Sequence, residues 1–294
     1  MKRSVFQIAL FLGLQLSLAA SAQNKKVTLH VPNFVRPLVE KWVTEYQKTN
    51  TGIDFQFISG KIQDNDNSIT FTTHGDDVVF ARYAVLPVTT NHSKAIQLLG
   101  SHRLNAKKLK NLFFIQDEID DEQEVSKKEQ LHIISGNSKQ SASRLLASHF
   151  KQETVNYKGK KISGDDSFLN QAISRDPLGV TVNSLSNIFD LKSRQLREGL
   201  SLLPLELDKH GRQVLSEGKL DDIIKLLEEE HYQEIPIGNV GISYHHNSET
   251  LTHFVQWILN EGTKYVHEYG LLGLPQKELI VQQHRLKQKD LALK

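Results

Sequence analysis

The chain has 294 residues, 38% hydrophobic and 24% charged, a balance that suits a soluble globular protein with room for two domains of roughly 100–200 residues each. It has no cysteine, which excludes disulfides, thiolate nucleophiles and cysteine zinc sites. Its 36 basic and 34 acidic residues include Lys2 and Arg3; without those two the chain is neutral, and no net positive field argues for nucleic acid.

Residues 1–22 read as a signal peptide. Lys2 and Arg3 make a positive end, residues 5–18 are mostly apolar with Gln7 and Gln15 between, and Ala20-Ser21-Ala22 is a small-residue cleavage signature. The apolar part is shorter than the roughly 20 residues of a membrane span. No cysteine stands at the cleavage point to carry a lipid. The expected mature chain starts near Gln23, in the periplasm or outside the cell.

A short strand over 27–31 ends at Pro32-Asn33. Phe34, Leu38, Trp42, Val43 and Tyr46 then recur at helical spacing over 34–48, with Pro37 in the first turn where its missing N–H costs nothing. A strand over 54–58 completes strand–helix–strand, the opening of an α/β domain. Residues 59–68 are polar and loop-like, and 69–73 a strand. The run 78–91 is apolar, β-branched and aromatic, so it reads as a buried strand. Arg82 puts one charge in it, and Pro87 removes a donor near its end, which suits a crossing point more than a central ladder. A second stretch, 234–245, is the expected return crossing.

Between them, a helix starts at 105–109. The charge run 117–129 is a solvated helix or exposed loop. Strand 132–134 and helices 141–150 and 166–173 follow. Residues 180–183 and 188–191 read as strands or turns, and 220–230 as an amphipathic helix. Residues 248–261 form a strong helix on Leu251, Phe254, Val255, Ile258 and Leu259, with Gly262 as its C-cap. Residues 206–217 outline a twelve-residue calcium loop, but His210, Arg212 and Gln213 occupy positions five, seven and eight, so a turn without calcium is expected. The thirteen histidines include no His-Glu-x-x-His, and the adjacent His245 and His246 splay apart on a strand; scattered surface residues account for them. No nucleophile elbow or phosphate-binding P-loop is present.

Four stretches together resemble the phosphate-binding proteins of ABC importers, which have the type 2 periplasmic binding protein fold. The closest likeness is His253-Phe254-Val255-Gln256-Trp257-Ile258-Leu259-Asn260-Glu261-Gly262 with Tyr269-Gly270-Leu271-Leu272-Gly273-Leu274-Pro275. Phe34 to Trp42 looks like the family's first helix, Arg82-Tyr83-Ala84-Val85-Leu86-Pro87-Val88 like its crossover strand, and Asp176-Pro177-Leu178-Gly179-Val180-Thr181 like a strand lead-in. The family's Arg-x-x-x-Ser-Gly-Thr corresponds to Asn137 through Ser143, where the arginine is lost and the glycine is Ala142. Its crossover aspartate is replaced by Ala81 and Arg82, and its glycine-rich first turn by His30 to Phe34.

The resemblance implies ligand candidates at Asn33, Phe34, Ser59, Ser141, Ala142, Ser143 and Asp165, and the charge of Arg82 within an apolar strand adds it to the set. From the residues alone, Ser141 to Ser143 open a helix, where hydroxyls and free amides hold an anion or Ser141 simply caps. Ser59-Gly60 is similar in kind. Arg82 is a ligand clamp or an ion-pair partner of Asp76 or Asp77. Asp165 or Asp166 caps its helix, and Asp165 is also a cleft candidate.

The expected architecture is α/β, with two lobes and a double-crossover hinge: lobe one is 23–88 with 240–294, lobe two 89–239. The expected function is extracytoplasmic capture of a small oxyanion, foremost phosphate, without catalysis or cofactor. The partners are a membrane importer or an outer-membrane uptake system, and the protein is a monomer. The alternatives are a scaffold or sensor with a degenerate cleft, and an extracytoplasmic phosphoester hydrolase.

Overall fold

The computed structural model describes residues 25–58, 67–73, 78–100, 102–115, 131–245 and 248–292. The signal-peptide segment, most of the 59–68 loop, the 117–129 charge run and His246 lie outside the described residues.

The first half of the fold comprises β1 (Lys25–His30), α1 (Arg36–Gln47), β2 (Ile53–Ile58), β3 (Ser68–Thr72), β4 (Val78–Thr90), α2 (Lys94–Leu99), α3 (Ala106–Phe113), β5 (His132–Gly136), α4 (Ala142–His149), β6 (Lys160–Ile162) and α5 (Ser167–Ile173). The remainder is β7 (Gly179–Ser184), α6 (Leu185–Ile188), β8 (Leu200–Leu202), α7 (Lys209–Glu217), α8 (Leu220–Glu229), β9 (Ile237–Tyr244), α9 (Glu249–Asn260) and α10 (Gln276–Ala292).

The strands join in the order β2-β1-β3-β9-β4-β7-β5-β6, with β8 on β4. β4 is the member that changes neighbours. From Val78 to Ala84 it pairs antiparallel with β9, with a bulge between Val79 and Ala81. From Val85 to Val88 it pairs with β7, and from Val88 to Thr90 with β8. Pro87 lies in the second part, where it lacks an N–H but its carbonyl accepts from Leu203 N at 3.0 Å. The two strands expected to cross are therefore hydrogen-bonded to each other at the point where the sheet is divided.

The first part of the sheet is held by aromatic residues from elements far apart in sequence. Trp42 of α1 meets Phe80 edge-on at 4.9 Å, and Phe254 of α9 packs on Tyr46 and Phe55 at 4.9 and 4.8 Å. Such pairs add about 0.5–1.5 kcal/mol each beyond buried area. Gly262 differs from its expected role. Glu261 occupies the C-cap of α9. Gly262 is small because a Cβ there would lie 3.0 Å from the Trp42 ring nitrogen, which donates to the Gly262 carbonyl at 2.8 Å.

Other expectations are corrected. Of the strand-or-turn reading at 188–191 only the turn holds: α6 ends at Ile188, Phe189 makes an isolated bridge to Leu196, and the chain turns at Leu191. The calcium-loop outline is helix α7, which Asp208 caps by accepting from Gly211 N at 2.7 Å, so the carboxylate serves the backbone. The first helix begins at Arg36, leaving Asn33 and Phe34 in the turn before it.

The segment after α9 is fastened to α8 by Glu228, whose Oε1 meets His267 Nε2 at 2.8 Å and accepts from Gly273 N. The hydrogen bond to Glu228 raises the His267 pKa above 6.5 against the opposing effect of burial. Burial pushes Glu228 up, but His267 and the Gly273 amide outweigh it and hold the carboxyl below 4.5. The contribution of Glu228 is thus present above pH 4.5 and lost as pH falls through its folded value. That of His267 is present below pH 6.5 and lost as pH rises through its folded value. Urea denaturation across pH is expected to show this clamp strongest between those limits, and Glu228→Gln to flatten both flanks.

Candidate functional site

The chemistry concentrates at the start of α4. β5 delivers Ile133 and Ile134 to the core and ends at Gly136, and the chain turns through 137–140 to Ser141. Ser141, Ala142 and Ser143 are all buried. Ser141 Oγ accepts from Ser143 N at 3.2 Å, the expected cap. Ser143 Oγ accepts from Gly136 N at 2.9 Å, and Tyr157 donates to the Ser143 carbonyl at 2.6 Å. These bonds set the turn so that the Ser141 hydroxyl and the Ala142 amide point the same way.

What they point at is Asp166. Ser141 donates to Asp166 Oδ1 at 2.7 Å, and Ala142 N to Oδ2 at 2.6 Å. A carboxylate at a helix N-terminus meets unsatisfied amides and the positive end of the helix dipole. Asp166 is pinned from behind, where Asn183 Nδ2 donates to its carbonyl at 2.8 Å. Burial raises its pKa; the Ser141 and Ala142 hydrogen bonds lower it, nearby Asp165 adds to the rise, and the net shift is upward. The helix terminus, read from sequence as an anion site or a plain cap, is both: Ser141 caps it, and an internal carboxylate occupies it.

Asp165 faces the other way. It accepts from Ser167 N at 2.8 Å and from Asn33 Nδ2 at 2.7 Å. Burial pushes Asp165 up, but Ser167 and Asn33 outweigh it and hold the carboxyl below its usual range. Asn33 comes from the β1–α1 turn and Asp165 from the start of α5, so this bond joins distant parts of the chain. Next to Asn33, the Phe34 ring lies 5.1 Å from Tyr83 on β4. The structure therefore brings Asn33, Phe34, Asp165, Ser141, Ala142 and Ser143 into one hydrogen-bonded and packed region.

Arg82 is placed elsewhere. Its Nε and Nη2 donate to the Gly273 carbonyl at 3.1 and 3.0 Å, and its backbone bridges Leu272. Adjacent strand residues point to opposite faces, so Arg82 and Tyr83 diverge, and Arg82 holds the segment after α9 to β4. Asp76 and Asp77, its expected partners, and Ser59 lie outside the described residues.

Sequence reasoning missed Gly136, Gly238 and the role of Asp166. A Cβ on Gly136 would sit 2.2 Å from Ser141 Oγ and 2.8 Å from Asp166 Oδ1. A Cβ on Gly238, opposite Tyr83 in the β4–β9 ladder, would lie 2.8 Å from Leu145 Cδ1 and 2.9 Å from Tyr83 Cε1. The available signal was Asp165-Asp166 itself: one helix start uses one capping carboxylate, so the second needs another partner.

No protein-family model matches the sequence, and no curated protein matches it. Solved structures do. One, from Clostridium perfringens, is named as the substrate-binding protein of a phosphate ABC transporter with phosphate bound; it shares 10% identity at a TM-score of 0.57, over 85% of this chain and 100% of that one. An ABC-type phosphate transport receptor from Vibrio cholerae shares 12% at 0.55, over 85% and 100%. A protein from Planctomyces limnophilus described as phosphate-binding shares 10% at 0.50, over 90% and 99%. This likeness shows the fold: mixed α/β, with a curled sheet like that of periplasmic binding proteins, as the resemblance implied.

Gly136→Ala is expected to force Ser141 and Asp166 apart and to destabilise the protein by about 1–3 kcal/mol, the cost of leaving such buried groups unsatisfied. Chemical denaturation measures it, and an unchanged midpoint would contradict the geometry.

Proposed function

We propose that the chain is an extracytoplasmic solute-binding protein that closes on a small anion and passes it to a membrane importer or outer-membrane uptake system. Lobe one would comprise 23–88 and 240–294, lobe two 89–239, with β4 and β9 as the hinge. The carrying observation is the Asn33–Asp165 hydrogen bond, which ties the first turn of lobe one to a helix start in lobe two beside the capped end of α4. A ligand touching both sides favours the closed state by its differential affinity. The function is binding rather than catalysis, in keeping with the binding proteins that share the fold.

One observation favours a second reading, a scaffold or sensor with a degenerate cleft: Asp166 already fills the α4 terminus. Phosphate enters there only when Asp166 leaves. Thermal-shift measurements with phosphate, sulfate, molybdate and organic acids separate the two readings. A ligand at a hundredfold excess over its Kd adds about 2.7 kcal/mol of stability, so the solute-binding reading expects a clear rise in Tm with at least one anion. No rise with any of them favours the scaffold. Asp166→Ala, which frees the Ser141 hydroxyl and the Ala142 amide, is expected to lower stability and to gain a calorimetric response to inorganic phosphate larger than that of the wild type.

A further inference from the structure

Along α4, from Arg144 to Ser148 and on to Val155, runs a cavity of about 520 Å³. Thr73 and Tyr83 line it from the β3 and β4 side; Arg144, Leu145 and Ser148 line it from α4, and Val155 from the chain that follows. The volume falls in the range of about 300–1,000 Å³ usual for small organic ligands and far exceeds the needs of a bare tetrahedral ion.

Among the described residues Arg144 is the only cation in the lining, and no hydrogen bond or ion pair reaches its guanidinium. A guanidinium fork matches a carboxylate in two parallel hydrogen bonds. Tyr83, bonded to Thr73, is held far into its neutral form by burial, so it stays a phenol and presents no charge. Leu145 and the largely exposed Val155 offer apolar surface. Glu153 stands in the same lining and adds a negative charge, which disfavours a doubly charged guest.

We infer that this cavity is the ligand site and takes a small organic carboxylate, its head on Arg144 and its body against Leu145 and Val155. This rests on the solute-binding reading and gives its solute a chemical class. The α4 terminus, filled by Asp166, then acts as structure, and recognition lies one helical turn further along α4. Because the lining comes from both β3–β4 and α4, an occupant touches both sides and holds them together.

The test uses the full mature chain with lactate, succinate, glutamate and hexanoate as carboxylate probes, and inorganic phosphate and sulfate as bare-ion probes, in thermal shift and then calorimetry. At least one carboxylate is expected to raise Tm, with an affinity that falls tenfold or more in Arg144→Gln. Arg144 is exposed and has no partner among the described residues, so the variant is expected to fold, which circular dichroism checks. Carboxylate binding that survives Arg144→Gln overturns the inference. So does stabilisation by phosphate or sulfate alone, which leaves the solute-binding reading intact. No response to either set overturns both.

Discussion

A buried carboxylate needs donors, and a helix start needs acceptors. Asp166 and α4 satisfy each other through the Ser141 hydroxyl and the Ala142 amide. Much of the neighbourhood follows from this exchange. Gly136 has no side chain because one would stand between the partners. Asn183 gives up its amide to hold the Asp166 backbone. Asp165 instead accepts from the Ser167 amide at the start of α5 and from Asn33.

This exchange matters for function because of where it sits. β4 and β9 carry the chain between two parts of one sheet, and α4 packs its Leu145 against β9 at Gly238, where no Cβ intervenes. The capped end of α4 is thus coupled by packing to the two strands that link the parts of the sheet. A side chain filling that end leaves a terminus already satisfied, and along the same helix a roomier space lined by Arg144, whose guanidinium has no partner among the described residues.

Legibility varied with the physical origin of each element. α1 and α9 were readable because their apolar stripes recur at helical spacing and meet a sheet face. β4 was readable because it is mostly buried and its run is apolar, β-branched and aromatic. β6 and β8 have three residues each and no periodicity of their own. α10 was missed because Leu279, Ile280 and Val281 stand consecutively and make no stripe. α7 was hidden because Asp208 suggested a metal ligand before it suggested a cap. Arg82 was seen to need a partner, but a backbone carbonyl 191 residues away leaves no mark on its local sequence.

The amino-acid order alone determined the class of fold and its crossing strand, since burial pattern, capping residues and a proline at the division are local properties. It also marked Ser141 as a helix cap with hydroxyls beside it. Only the tertiary structure decided which negative charge that cap receives. Asp166 lies 25 residues from Ser141, and either it or a solute satisfies the same two donors. Distance in space chooses between them, and no local pattern encodes that distance.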